Sequence, residues 1–212
     1  MGKTLHIATF GADSEGILAG IRNFPVHKLI LLHYSEQRES LEEFVKNIRS
    51  VLGIPISTLE ITMPDVIRSV LENINKVIEN EKEEYEQILI NVSAGDKMIG
   101  CAALSCSFIN GIKAFGVDSN GNPMMLPILK MSYKEIISDA KIKILKALYE
   151  KGGSVENLDE LVQASGFGKP LLSYHINGTL ESKGLLQLGL VDVEKSRSKS
   201  KIVLNMLGQL II

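Results

Sequence analysis

No unbroken apolar run of about 18 or more residues, the length of a membrane-spanning helix, occurs in the 212 residues. The first residues, MGKTLHIATFG, lack the apolar core and small-residue cleavage site of a secretory signal. Gly2 is followed by Leu5 and His6 where a myristoylation motif requires Ser or Thr at position 6. A cytoplasmic protein with no membrane partner is therefore expected. Cysteine is scarce. Cys101 and Cys106 lie five apart on a predicted helix, pointing in different directions and too far apart to bridge. They are expected as small buried residues in a reducing compartment. The four histidines, His6, His27, His33 and His175, are scattered and no CxxC occurs, so no metal site is predicted. The formal charge of −2 argues against general affinity for nucleic acid. Neither GxxxxGK[ST] nor a GxGxxG after the first strand is present, so the usual nucleotide enzymes are poorly supported and no cofactor is expected.

Charge is unevenly spread. Residues 1–135 carry 13 Lys and Arg against 17 Asp and Glu, whereas residues 136–212 carry 10 against 8. The change of sign points to two domains, the second being the better suited to nucleic acid. Expected boundaries are 1–131 and 132–212.

In the first part, strand patterns at 5–11, 28–34, 57–62 and 87–92 alternate with helical patterns at 13–24, 36–53 and 64–86. Leu41, Phe44, Val45, Ile48 and Leu52 share one helix face, as do Val66, Val70, Ile74 and Ile78. IKAFGV and PMMLPIL flank DSNGN, a hairpin signal around Asn-Gly. Alternating strand and helix predicts an α/β fold: a Rossmann-like, mostly parallel sheet of six strands ending in a β-hairpin. For a 3-2-1-4 strand order the ligand crevice lies between strands 1 and 4, outside their carboxyl ends. After strand 1 come Gly11, Ala12, Asp13 and Ser14. After strand 4 come Asn91, Ser93, Ala94, Gly95, Asp96 and Lys97. Each loop opens a helix, whose unpaired amides favour anions. Ser93 offers a hydroxyl, Gly95 close backbone approach, and Lys97 a charge for phosphate. The same residue types also serve as ordinary turns and N-caps. The helix after Lys97 packs Gly100, Cys101, Ala102, Ala103, Ser105, Cys106 and Ser107 into two turns. One face suits tight packing on the sheet and the other suits a symmetry mate.

In the second part, helical patterns at 138–153, 155–166 and 167–186 are followed by strand patterns at 185–194 and 201–207 around the polar tip KSRSKS. Leu171, Tyr174 and Leu180 are expected in the core, with Gly184 ending the third helix. Three helices and a hairpin predict a small winged helix-turn-helix domain. The residues from Leu158 to Leu186 resemble the winged helix-turn-helix regulators of prokaryotes. That resemblance puts the third helix in the major groove of double-stranded DNA. Lys169, Ser173, His175, Asn177 and Lys183 are then the exposed candidates on it, and Lys195, Arg197, Lys199 and Lys201 lie on the wing.

A Rossmann-like domain with NVSAGDK after strand 4, joined to a winged helix, resembles the CARF (CRISPR-associated Rossmann fold) regulators, mostly archaeal. That family's strand-4 loop commonly reads Ser/Thr-Gly-Gly-Thr-Lys. Here Ser93, Gly95 and Lys97 match, while Ala94 and Asp96 depart. The resemblance implies a homodimer and a cyclic oligoadenylate effector lying across both pockets. A ligand-responsive transcriptional regulator, not an enzyme, is the leading expectation. One rival is a slow ring nuclease, in which Ser93 and Lys97 stabilise developing charge. The other is an adaptor whose winged helix binds protein.

Overall fold

The computed structural model describes residues 2–127, 137–180, 182–195 and 200–212. Two compact units divide the chain, Met1–Ser132 and Tyr133–Ile212.

In the first unit, β1 (Thr4–Thr9), β2 (Lys28–His33), β3 (Ile56–Glu60), β4 (Gln87–Asn91) and β5 (Lys113–Val117) alternate with α1 (Glu15–Asn23), α2 (Arg38–Leu52), α3 (Val66–Glu81) and α4 (Lys97–Asn110). A last strand, β6 (Pro123–Met125), completes one six-stranded sheet of order β3-β2-β1-β4-β5-β6. All its pairs are parallel except β5–β6. The hairpin turns where the Asp118 carboxylate accepts the N–H groups of Asn120 (2.9 Å) and Asn122 (2.8 Å). This is the α/β, Rossmann-like, mostly parallel sheet that the alternation predicts.

Every residue of β1 is buried, as a central parallel strand covered on both faces requires. Ala8, Phe10, Leu29 and Leu31 pack with Ile17 of α1 and with Leu41 and Ile48 of α2. Right-handed crossovers put α1 and α2 on that face and α3 and α4 on the other. His6 of β1 is enclosed near the rings of Phe24 (6.5 Å) and Phe115 (6.1 Å), and its Nε2 has no hydrogen-bond partner among the described residues. Burial pushes its pKa down to about 4. Cys106 is buried as expected, but Cys101 is exposed, because it falls on the face of α4 turned away from the sheet.

The second unit contains α5 (Asp139–Glu150), β7 (Ser154–Val155), α6 (Leu158–Ser165), α7 (Lys169–Asn177), β8 (Val191–Lys195), β9 (Ser200–Leu204) and α8 (Met206–Ile211). Its three strands form an antiparallel sheet of order β7-β9-β8. Ile144, Leu145, Leu148, Leu161, Leu172 and Ile176 build its core with Leu185, Leu190, Ile202 and Leu204.

The third helix differs from expectation in length and phase. It stops at Asn177, not Gly184, because Gly178 adopts φ +77° and turns the chain back. Leu185 and Leu186 then donate to the carbonyls of His175 (2.8 Å) and Ile176 (3.0 Å). A Cβ on Gly178 would stand 2.3 Å from the Gly184 nitrogen, so two glycines let the backbones touch. Leu172 and Ile176, four apart, face inward. Leu171, Tyr174 and Leu180, expected in the core, are 43%, 41% and 108% exposed. The strand expected from residue 185 begins at Val191. Leu185 and Leu190 reach the core from the intervening turn instead.

Candidate functional site

The sheet order reverses at β1. That strand pairs with β2 on one side and β4 on the other, so the crevice falls where the two loops singled out above emerge. They lie against each other. A Cβ on Gly11 would stand 2.4 Å from Gly95 Cα, and one on Gly95 would stand 2.6 Å from the Phe10 carbonyl oxygen. Gly95 has φ +84°, which only glycine adopts cheaply. A Cβ on Gly16 would meet the Ser93 Cβ at 2.5 Å.

Hydrogen bonds complete the joint. The buried Asn91 side-chain amide donates to the Gly16 carbonyl at 2.9 Å. Its oxygen accepts the Ser93 N–H at 3.0 Å and also the Ser93 hydroxyl. The Thr9 hydroxyl donates to the Ala94 carbonyl. Ser93 is thus half-buried and already donating within the protein, while Ala94 is buried. Gly95, Asp96 and Lys97 are exposed, as are Ala12 and Asp13; Ser14 is half-buried. The Asp13 carboxylate accepts the Glu15 N–H at 2.9 Å, capping the first turn of α1.

Asp96 changes the expected anion site. As N-cap of α4, its Oδ1 accepts the N–H groups of Met98 (2.8 Å) and Ile99 (3.4 Å). Amides expected to await an anion are therefore occupied by the chain's own carboxylate. The same oxygen accepts the Tyr34 hydroxyl at 3.1 Å. The Met98 amide leads the groups that hold the Asp96 carboxyl below its ordinary pKa. Tyr34 moves the other way, to about 12, through burial first and the Asp96 bond second. Beside them opens a cavity of about 540 Å3, lined by Tyr34, Glu36, Asp65, Met63, Ile67 and Met98 among others. Asp96 is the one predicted site residue that lines it. Tyr34 was missed because its link to Asp96 spans 62 positions and leaves no local signal.

In the second unit, Lys169, Ser173, Asn177 and Lys183 are exposed as expected. Lys169 pairs with Asp159 at 2.6 Å, and Lys201, half-exposed on β9, lies 3.9 Å from Glu156. His175 is half-buried instead of exposed, close to the Tyr174 ring (5.1 Å). Burial, and then the neighbouring Lys141, lower its pKa. The Lys195 side chain, Arg197 and Lys199 lie outside the described residues, as does the boundary expected at 131/132.

The sheet order and the paired loops define the first unit as a Rossmann-like α/β module with its crevice at the strand-order switch. A family model described as "HFX_2341_N:-like, N-terminal" matches residues 4–121, more than half of the chain, and the chain belongs to that family. An uncharacterized protein of Archaeoglobus fulgidus is 25% identical over 97% of this chain and 95% of its own length. Among solved structures, protein VC1899 from Vibrio cholerae aligns with 98% of the chain at TM-score 0.52 and 12% identity. Enterococcus italicus Csm6, bound to cyclic hexa-2′-fluoro-hexa-dAMP, aligns with 77% at TM-score 0.51 and 13% identity. The chain spans 65% and 50% of the lengths of those two proteins. At such identities the likeness is one of fold.

Proposed function

We propose that the chain is a ligand-responsive DNA-binding regulator. Its first unit is a CARF-type sensor, about residues 1–131. A cyclic oligoadenylate or related nucleotide lies across two such units in a homodimer. Its second unit, about residues 132–212, is a winged helix-turn-helix that binds double-stranded DNA. One observation carries the reading: the loops after β1 and β4 are locked backbone to backbone at the switch point, with Lys97 exposed at the rim. A joint that needs glycine at Gly11 and at Gly95 supports reading the two loops as one built crevice. Csm6, which holds a cyclic oligonucleotide, shares the fold. In the second unit, the helix order and the β8–β9 hairpin support the winged-helix reading, in which α7 is the reading helix.

The outer face of α4 supports the dimer. From Met98 to Asn110 the helix has no charged side chain. Ile99, Ala102, Ala103 and Cys106 are buried, while Met98 and Phe108 remain 48% and 42% exposed. A helix apolar on both sides is normally covered on both. A second copy of the chain is the occupant that sets two Lys97 rims side by side.

Calorimetric titration with cyclic tetraadenylate and cyclic hexaadenylate, wild type beside Lys97→Ala, tests the sensor. One ring per dimer is expected, bound at least tenfold more weakly by the variant. No heat from either ring removes the oligoadenylate reading.

A further inference from the structure

Two stripes of side chains on α7 face solvent. Lys169, Ser173 and Asn177 follow one another at four-residue spacing, and the Asn177 amide donates to the Ser173 carbonyl (3.1 Å) and hydroxyl (3.2 Å). Beside them stand Leu171 and Tyr174, three apart and 43% and 41% exposed. The helix already buries Leu172 and Ile176. Leu171 and Tyr174 are thus left, among the described residues, as an exposed apolar pair on a polar helix face, available for a contact.

Charge selects the occupant. The sequence of α7, KPLLSYHIN, contains no acidic residue. Lys169 stands at its start. Lys183, bridged to Gly178, stands at its end. Both are exposed. With its side chains an α-helix is about 10–12 Å across, which fits the roughly 12 Å width of the major groove, and the nine residues of α7 at 1.5 Å each run about 13 Å along it. The surface thus carries a cation near each end and apolar groups between, the order that phosphate, base edge and phosphate present. An apolar protein partner would leave those lysines unmatched. The ion pair of Lys169 with Asp159 is solvent-exposed on both sides and yields readily to a phosphate. Among major-groove features, the apolar one is the thymine C5 methyl.

We propose that Leu171 and Tyr174 read thymine methyl groups in the major groove. The inference rests on the DNA-binding reading above and adds which base feature is recognised. Ser173 and Asn177 supply hydrogen bonds to adjoining base edges, and the apolar pair supplies preference for thymine over cytosine at the neighbouring positions.

Uracil-for-thymine exchange isolates the methyl. The full-length protein selects duplexes from a random 20-base-pair pool. The enriched sequences are then made with thymine or with deoxyuridine and compared by fluorescence anisotropy. The wild type is expected to bind the deoxyuridine form about fourfold more weakly for each methyl removed from the contact. The double variant Leu171→Ala with Tyr174→Ala, two exposed changes whose folding is checked by thermal melting, is expected to bind both forms within twofold. A wild type that binds both forms equally overturns the methyl reading while leaving DNA binding intact. A wild type that retains no duplex from the pool at low salt overturns DNA binding itself, and one that retains duplexes without enriching any sequence overturns the methyl reading.

Discussion

His6 shows how one side chain sets a dependence on pH. The unfolded chain takes up a proton on this imidazole near pH 6.5 and the folded chain only near 4. Stability is therefore full above pH 6.5 and falls as the pH drops from there toward 4, by up to about 1.4 kcal/mol per unit. Urea midpoints at pH 7.5 and 5.0 measure the fall. In His6→Leu the difference between the two should shrink, and an unchanged difference would assign it to other groups. Asp96 sets a different balance. Asp96→Ala removes the cap of α4 and should lower stability by about 1 kcal/mol in the same assay. Asp96→Ser keeps a capping oxygen but removes a negative charge from the rim. Affinity for cyclic tetraadenylate should then rise about two- to fivefold, the value of one charge near a helix end. A fall in affinity would instead show that the carboxylate contacts the ligand.

Among elements, α4 gives the sharpest test. Phe108→Glu places a charge on its outer face and should convert the proposed dimer to a monomer in light scattering. A variant that stays dimeric would move the interface elsewhere. The same scale shows what the residues alone revealed. The sheet order was legible because alternating strand and helix patterns, with right-handed crossovers, leave few arrangements. The two switch-point loops were legible for the same reason. The end of α7 was not. Gly178 and Gly184 are both acceptable stops, and Leu171 and Tyr174 have as good a helical spacing as Leu172 and Ile176. Only the fold-back that brings Leu185 into the core decides between them. The capped start of α4 was hidden differently. Asp after Gly reads equally well as a ligand contact and as an N-cap, and the backbone bonds choose the cap.

For the whole molecule, the proposed sensing and DNA binding would be linked by reciprocity. If cyclic tetraadenylate changes operator affinity tenfold, the operator must change affinity for the ring tenfold in the same direction. Titrating the ring with and without duplex measures both sides of the cycle, and equal ring affinities would deny any coupling. Salt gives a second check. Log affinity for duplex should fall linearly with log salt, and Lys183→Ala should reduce the slope by about one. The contact between Gly178 and Gly184 bears on the same scale. By closing α7 after nine residues, it would limit the proposed reading surface to about 13 Å, or about four base pairs at 3.4 Å each. Four base pairs recur by chance roughly once in 250 positions, far too often to mark one promoter among competing sites. Two copies reading a symmetric site would double the word to about eight. On the proposed reading the address on the genome would be spelled only by the pair, and whatever held the two chains together would also hold the meaning of the sequence they read.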